Sequence, residues 1–238
     1  LNPYLNDSNP TNISQGNSHL DSEKSHSFNL SYSNFTQKFN INLSARYSFT
    51  NNSIEQVTEQ VKDTEIEGLQ NPTGKEVLYS TYQNIGKSRN ASLSGYVNWN
   101  ATSNTRIYAN LYGNYTYMEG ANGLKNDGWN LFAYGGAQQS LPHDWRISLN
   151  IYGQTPWIML QGKGSSFFDY GLSVNKSFLN KRLTLSAFAS NFFKKYTSPT
   201  SSIEGVGFTQ DSWNRYTRQR FGVSVSYRIG ELKASVKK

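Results

Sequence analysis

The sequence predicts an all-β fold, an antiparallel meander of about nine long strands that forms part of a transmembrane β-barrel. Three observations carry that expectation. Apolar and polar residues alternate with a period of two over runs longer than ten residues, as strands do when one face meets an apolar medium. Of the 238 residues, 14% are aromatic, 36% hydrophobic and 16% charged. The bulk is therefore neutral polar, and a soluble core of Leu, Ile and Val is hard to assemble. Short and long connections also alternate along the chain, which puts the short turns at one end of the sheet and the long loops at the other.

Taken in order, the first strand covers residues 25–35, with Phe28, Leu30 and Tyr32 on one face. The second places Phe39, Ile41, Leu43, Ala45, Tyr47 and Phe49 opposite Asn40, Asn42, Ser44, Arg46 and Ser48. For the connections to keep alternating, residues 76–100 must be one strand, bent near Gly86, since glycine inside a strand often marks a bend or bulge. Its apolar set is Ala91, Leu93, Gly95, Val97 and Trp99. Further sets begin at Ile107, Trp145, Phe168, Leu183 and Phe221. Over residues 128–141 the alternation is less clean, and neither face declares itself apolar. Short connections fall at 34–37, 100–104, 141–144 and 178–181, and longer polar ones near 61–75, 119–127, 156–164 and 195–210. Several strands exceed ten residues, about the length that crosses a bilayer at a tilt.

The two faces differ in chemistry. Tyr47, Trp99, Tyr117, Trp145 and Tyr227 sit near strand ends on the apolar face, where a membrane-interface girdle belongs. Arg46, Arg106, Arg146, Arg182, Arg218, Arg220 and Arg228 fall on the polar parity, among Asn, Ser, Gly and Tyr. If that parity lines a lumen, Arg46, Arg106, Arg146, Arg182, Arg218 and Arg220 are candidates to contact a plug or to select anionic solutes. The rival reading is a soluble or surface-attached β-sandwich binding module, an adhesin or glycan-binder, whose apolar face is covered by a second sheet.

Other classes are disfavoured. The net charge of +7 comes from 23 Lys and Arg scattered singly, with no block or stripe to follow a nucleic acid. There is no Cys for a disulfide, zinc site or thiol nucleophile. His19, His26 and His143 lie far apart without metal-ligand spacing and read as loop or turn residues. No Ser sits in a nucleophile elbow and Gly162-Lys163-Gly164 lacks phosphate-loop spacing, so neither catalytic residues nor a cofactor are expected. The carboxylates Glu55, Glu59, Asp63, Glu65 and Glu67 fit a frayed helix or a strand extension; a solvated loop is the plainer reading, a cation site the other. Trp157, Phe208, Trp213 and Tyr216, with Phe167 and Phe168 nearby, either offer ring faces to an extracellular ligand or pack loop against loop.

The residues also carry a family resemblance. Gly16, Asn17, Leu20, Glu23, Ser25, His26 and Phe28 fit the GNxxLxxE pattern and following strand that lead into the late strands of TonB-dependent outer-membrane receptors. YQNIGKSRNASLSG at 82–95 is similar to their Y-x-N-I-G-x-S strand. LPHDWRISLNIYG at 141–153, SVNKSFLNKRLTLSAFASNFF at 173–193 and FGVSVSYRIGELKASVKK at 221–238 resemble the C-terminal half of the Bacteroidetes-type outer-membrane β-barrel family. The resemblance covers nearly the whole chain. It implies a barrel of about 22 strands around an N-terminal plug, energised by TonB for active nutrient uptake. This chain would be one region of it, the C-terminal barrel portion, with partners in outer-membrane lipid, the plug and remaining strands, TonB, and a surface lipoprotein. Short turns belong at the periplasmic end. Residues 1–24 are then an extracellular lead-in and residues 229–238 a periplasmic tail.

Overall fold

Side chains alternate across a strand and cross-strand partners share a face, so register decides whether separate alternations add up to one surface. The computed structural model describes residues 3–120 and 123–230, except the side chain of Ile85. Its strands are β1 (Leu5–Asn9), β2 (Asn12–Gln15), β3 (Lys24–Phe35), β4 (Phe39–Lys62), β5 (Glu76–Asn100), β6 (Thr105–Gly120), β7 (Lys125–Leu141) and β8 (Trp145–Gln154). These are followed by β9 (Ile158–Met159), β10 (Gly162–Lys163), β11 (Phe167–Phe178), β12 (Leu183–Ser190), β13 (Tyr196–Thr197), β14 (Thr200–Gly205), β15 (Phe208–Trp213), β16 (Tyr216–Thr217) and β17 (Arg220–Tyr227). The nine long ones, β3 to β8, β11, β12 and β17, pair antiparallel in chain order as one sheet.

The register brings every apolar set to the same face. One row reads Tyr32, Leu43, Gly95, Leu111, Ala133, Gly153, Phe168 from β3 to β11. Another reads Phe39, Trp99, Ile107, Ala137, Leu149, Leu172, Ala189, Phe221 from β4 to β17. Pairing also settles β7, whose apolar face is Trp129, Leu131, Ala133, Gly135, Ala137 and Leu141, interrupted by Gln139. Its alternation reads poorly because Phe132 and Tyr134 sit on the opposite face.

No second layer covers this surface among the described residues. Leu30, Leu93 and Val223 are 75%, 63% and 79% exposed, so a β-sandwich, which would bury them, is not the fold. The buried apolar residues lie instead at the long-loop end. Ile13, Ile66 and Val77 form one cluster with Leu5, Val61, Leu69 and Tyr79, and Val57 and Leu160 form another with Met118 and Leu124.

That end departs from the expected loops in two ways. Residues 1–24 contain the β1–β2 hairpin, and β2 lies parallel against β5 through Asn12↔Leu78 to Ser14↔Ser80. The 119–127 connection is not long: β6 and β7 stay paired out to Glu119↔Lys125. β4 itself runs on to Lys62, the strand extension that the spacing of Glu55 and Glu59 allows, and a 3-10 turn, Asp63–Glu65, follows it. The bend expected at Gly86 is present as a bulge, with Asn52 at φ 57° and the register slipping beside Ser53↔Gly86. The remaining loops double back: β9, β10, β14 and β15 form a small sheet, and Gln161 pairs with the backbone of Thr58 at 2.7 and 2.8 Å. Gln210 reaches Asn12 at 3.0 Å. The amide of Gln161 thus occupies ladder groups of β4 beyond the end of β3, blunting an exposed edge. The tail beyond Gly230 lies outside the described residues.

Candidate binding face and its mouth

The polar face is built by the same register. Its central row reads Asn40, Asn98, Tyr108, Gly136, Asn150, Gly171, Ser190, Arg220. Gly136 has a structural reason: Tyr108 lies across it so that its hydroxyl donates to Asn150 Oδ1 one strand further on. A Cβ on Gly136 would stand 2.6 Å from that hydroxyl.

Tyr108 begins a diagonal track of rings. Its centroid is 5.7 Å from Tyr134, Tyr134 is 6.3 Å from Tyr152, and Tyr152 is 4.9 Å from Phe167, with Phe132 edge-on to Tyr152 at 5.2 Å. An arginine sits at each end, Arg106 5.6 Å over Tyr108 and Arg218 5.0 Å over Phe167. Such stacks combine ring-face attraction with the cation–quadrupole term.

The long-loop end of the track opens into a cleft of about 670 Å³ lined by Tyr152, Asp169, Asn191, Tyr216, Arg218 and Arg220 among others. Asp169 anchors it, ion-paired with Arg218 and accepting from Asn191 Nδ2 at 2.7 Å. Asn191, at φ 48°, also accepts the Tyr170 N–H at 3.2 Å, which ties the cleft floor to the next loop. Arg218 donates to the Tyr216 hydroxyl at 2.9 Å. Arg220 forms no ion pair among the described residues, so one guanidinium faces the cleft uncompensated beside exposed rings. That combination can hold an anionic or hydroxyl-rich group by charge-assisted hydrogen bonds and stacking. A second polar cleft, about 630 Å³, lies at the short-turn end and is lined by Lys38, Arg106, Gln138 and Arg146 among others.

The Outer membrane protein beta-barrel family matches residues 1–227. The chain belongs to this family. Comparisons with curated proteins and with solved structures find no match. As an outer-membrane β-barrel chain it resides in the bacterial outer membrane, although its sheet is not closed on itself among the described residues.

Within this outer-membrane barrel chain the sequence-selected residues separate. Arg46, Arg106, Arg146 and Arg220 lie on polar-face rows, as the alternation implies. Arg182 does not: it is in the turn after Leu179. Arg218 lies between β16 and β17 and reaches the face through Asp169. Arg228 follows β17 and donates its N–H to the Arg182 carbonyl at 2.8 Å. The apolar parity also carries Arg89, paired with Phe49 and Tyr117 at its margin. Tyr47 and Tyr117 lie toward the long-loop end of that face, and Trp99, Trp145 and Tyr227 at the short-turn end. Of the loop aromatics, Trp157 and Phe208 lie over Gly164 and Gly205, where a Cβ would meet their rings at 2.0 and 2.1 Å. Loop packing accounts for these two. Trp213 stays 67% exposed, and Tyr216 joins the cleft.

The ring track went unseen in the sequence. Its signal was the even-numbered aromatics of β6, β7 and β8, which become neighbours only once register is known.

Proposed function

We propose that this chain is barrel wall in a TonB-dependent outer-membrane receptor for active nutrient uptake. The observation that carries the reading is one sheet in which nine long strands pair in chain order and whose apolar face no second layer covers among the described residues, while its polar face holds arginines and a ring track leading to a cleft at the looped end. In this reading the apolar face meets lipid, with Tyr47, Trp99, Tyr117, Trp145 and Tyr227 at the two interfaces. The looped end, with residues 1–24, is extracellular. The polar face surrounds a lumen in which Arg46, Arg106, Arg146 and Arg220 hold a plug, and the mouth cleft contacts solute through Arg220 and Tyr216, with Trp213 exposed on β15. Support for a larger wall comes from β3 and β17, each with one edge unpaired among the described residues. A bare edge in hydrocarbon leaves several backbone groups unsatisfied, so both edges need pairing, and in this reading further strands of the wall supply it.

The test is capture of the periplasmic domain of TonB by the protein extracted from outer membranes, with and without an energised inner membrane in crosslinked cells. Specific capture supports the receptor reading. A purified protein that conducts small solutes passively in vesicles and captures no TonB points to a simple porin and sinks it.

A further inference from the structure

The apolar face carries a built feature that uptake does not use. A groove of about 480 Å³ opens on it between Phe28, Leu30, Tyr47, Leu93 and Trp129. Its floor is low because two small residues, Ala45 and Ala91, line it between the larger side chains. Toward the long-loop end, the next rows on this face change character. One reads His26, Phe49, Arg89, Tyr117, Asp127 and the next Lys24, Asn51, Lys87, Glu119, Lys125. A second cleft, about 500 Å³, lies at that level against Asn51, Lys87, Gly86 and Glu119.

The charges here are unbalanced. Glu119 is held by Lys125 at 3.1 Å and by the Tyr117 hydroxyl at 3.1 Å, and Asp127 accepts from Tyr115 at 2.7 Å. Lys24, Lys87 and Arg89 are exposed and form no ion pair among the described residues. Neighbouring strands lie about 4.8 Å apart, so Lys24 and Lys87 flank a site roughly 10 Å wide, with Arg89 between it and the groove. A greasy groove and a cationic rim, stacked along β5, match one ligand chemistry.

We propose that this surface binds a phosphorylated lipid of the outer leaflet, with an acyl chain in the groove and the phosphate held by Lys24, Lys87 and Arg89. A free anion has no use for the groove, and a protein partner cannot reach a face covered by hydrocarbon. The inference rests on the membrane orientation proposed above.

The test takes the protein extracted from outer membranes in mild detergent and follows retained ligand by native mass spectrometry. The probes are lipid A, the same lipid A stripped of phosphate, and inorganic phosphate. The intact lipid should be retained roughly 100-fold better than the stripped form, given the usual contribution of each cation near an anionic lipid surface. The triple variant Lys24→Ala, Lys87→Ala, Arg89→Ala should lose that preference while keeping the heat-modifiable gel mobility of a folded barrel. Equal retention of both lipids, an unchanged triple variant, or retention of inorganic phosphate alone overturns the proposal. A Lys87→Cys variant should react with a membrane-impermeant maleimide on intact cells, and reaction only after the periplasm is opened overturns the outer-leaflet assignment. Failure of the membrane reading itself looks different, because the protein would then stay monomeric in plain buffer and retain neither lipid.

Discussion

At the scale of single residues, Asp63 closes the β4–β5 hairpin. Its carboxylate accepts the Thr73 N–H and hydroxyl and the Gly74 N–H, each at 2.7 Å. Those donors, the Thr73 N–H first, hold its pKa below the ordinary 3.8. A depressed folded-state value means that the stabilisation is fully present above the unfolded value and disappears as pH falls through the folded one. Amide protection factors in residues 63–75 should therefore be high at pH 7 and fall only below the ordinary carboxylate range, and Asp63→Ala should keep them low at every pH. Uniform protection in the variant at pH 7 would show that the carboxylate does not order the loop. Gly86 is constrained differently. A Cβ there would lie 1.9 Å from the Glu119 carbonyl oxygen, so the β5–β6 backbone must move. Gly86→Ala should destabilise the folded protein by about 1–3 kcal/mol in urea titrations in micelles, and wild-type stability would contradict the close approach.

At the scale of elements, parity is the quantity that matters. Leu111 lies mid-row on the apolar face, flanked by Gly95 and Ala133, while Asn110 sits on the polar face between Tyr96 and Tyr134. Leu111→Arg should cost about 2–4 kcal/mol in bilayer unfolding measurements, and Asn110→Arg should change stability by less than about 1 kcal/mol. Reversal of that order would exchange the two faces and remove the basis for a lipid-facing surface. The strand lengths and short turns were legible from alternation alone, because side-chain direction in a strand is a local property. The β7 face was not. Phe132 and Tyr134 serve the ring track, so apolar residues stand on both of its sides. Nor was the parallel β2–β5 pairing, since nothing within Asn12–Gln15 encodes which strand end it will meet.

At the scale of the whole molecule, an exposed apolar sheet fixes the solvent in which the protein can exist. Refolding from urea should require detergent micelles or lipid, followed by gel mobility with and without heating; recovery of a compact monomer in plain buffer would refute the membrane fold. The packed clusters around Val57 and Ile13 lie outside the apolar belt, where water supplies the hydrophobic effect that hydrocarbon cannot. Val57→Ala should accordingly loosen the caps formed by residues 156–164 and 200–213, seen as new protease cuts there, and leave the strands below protected. Cuts within the strands instead would place the stabilising core elsewhere.

By itself, the sequence determined the period, the number of long strands, the apolar side of most of them, and through its motifs the outer-membrane barrel family. These are set by neighbours two residues apart or by short strings. Only the tertiary structure decided that Arg218 lands on Asp169, that rings from four strands form a track between two arginines, and that Lys24, Lys87 and Arg89 share a rim above one groove. Such neighbours are separated by tens of residues, and they meet through a register chosen by the summed cross-strand pairing of the whole sheet, a sum that no single segment contains.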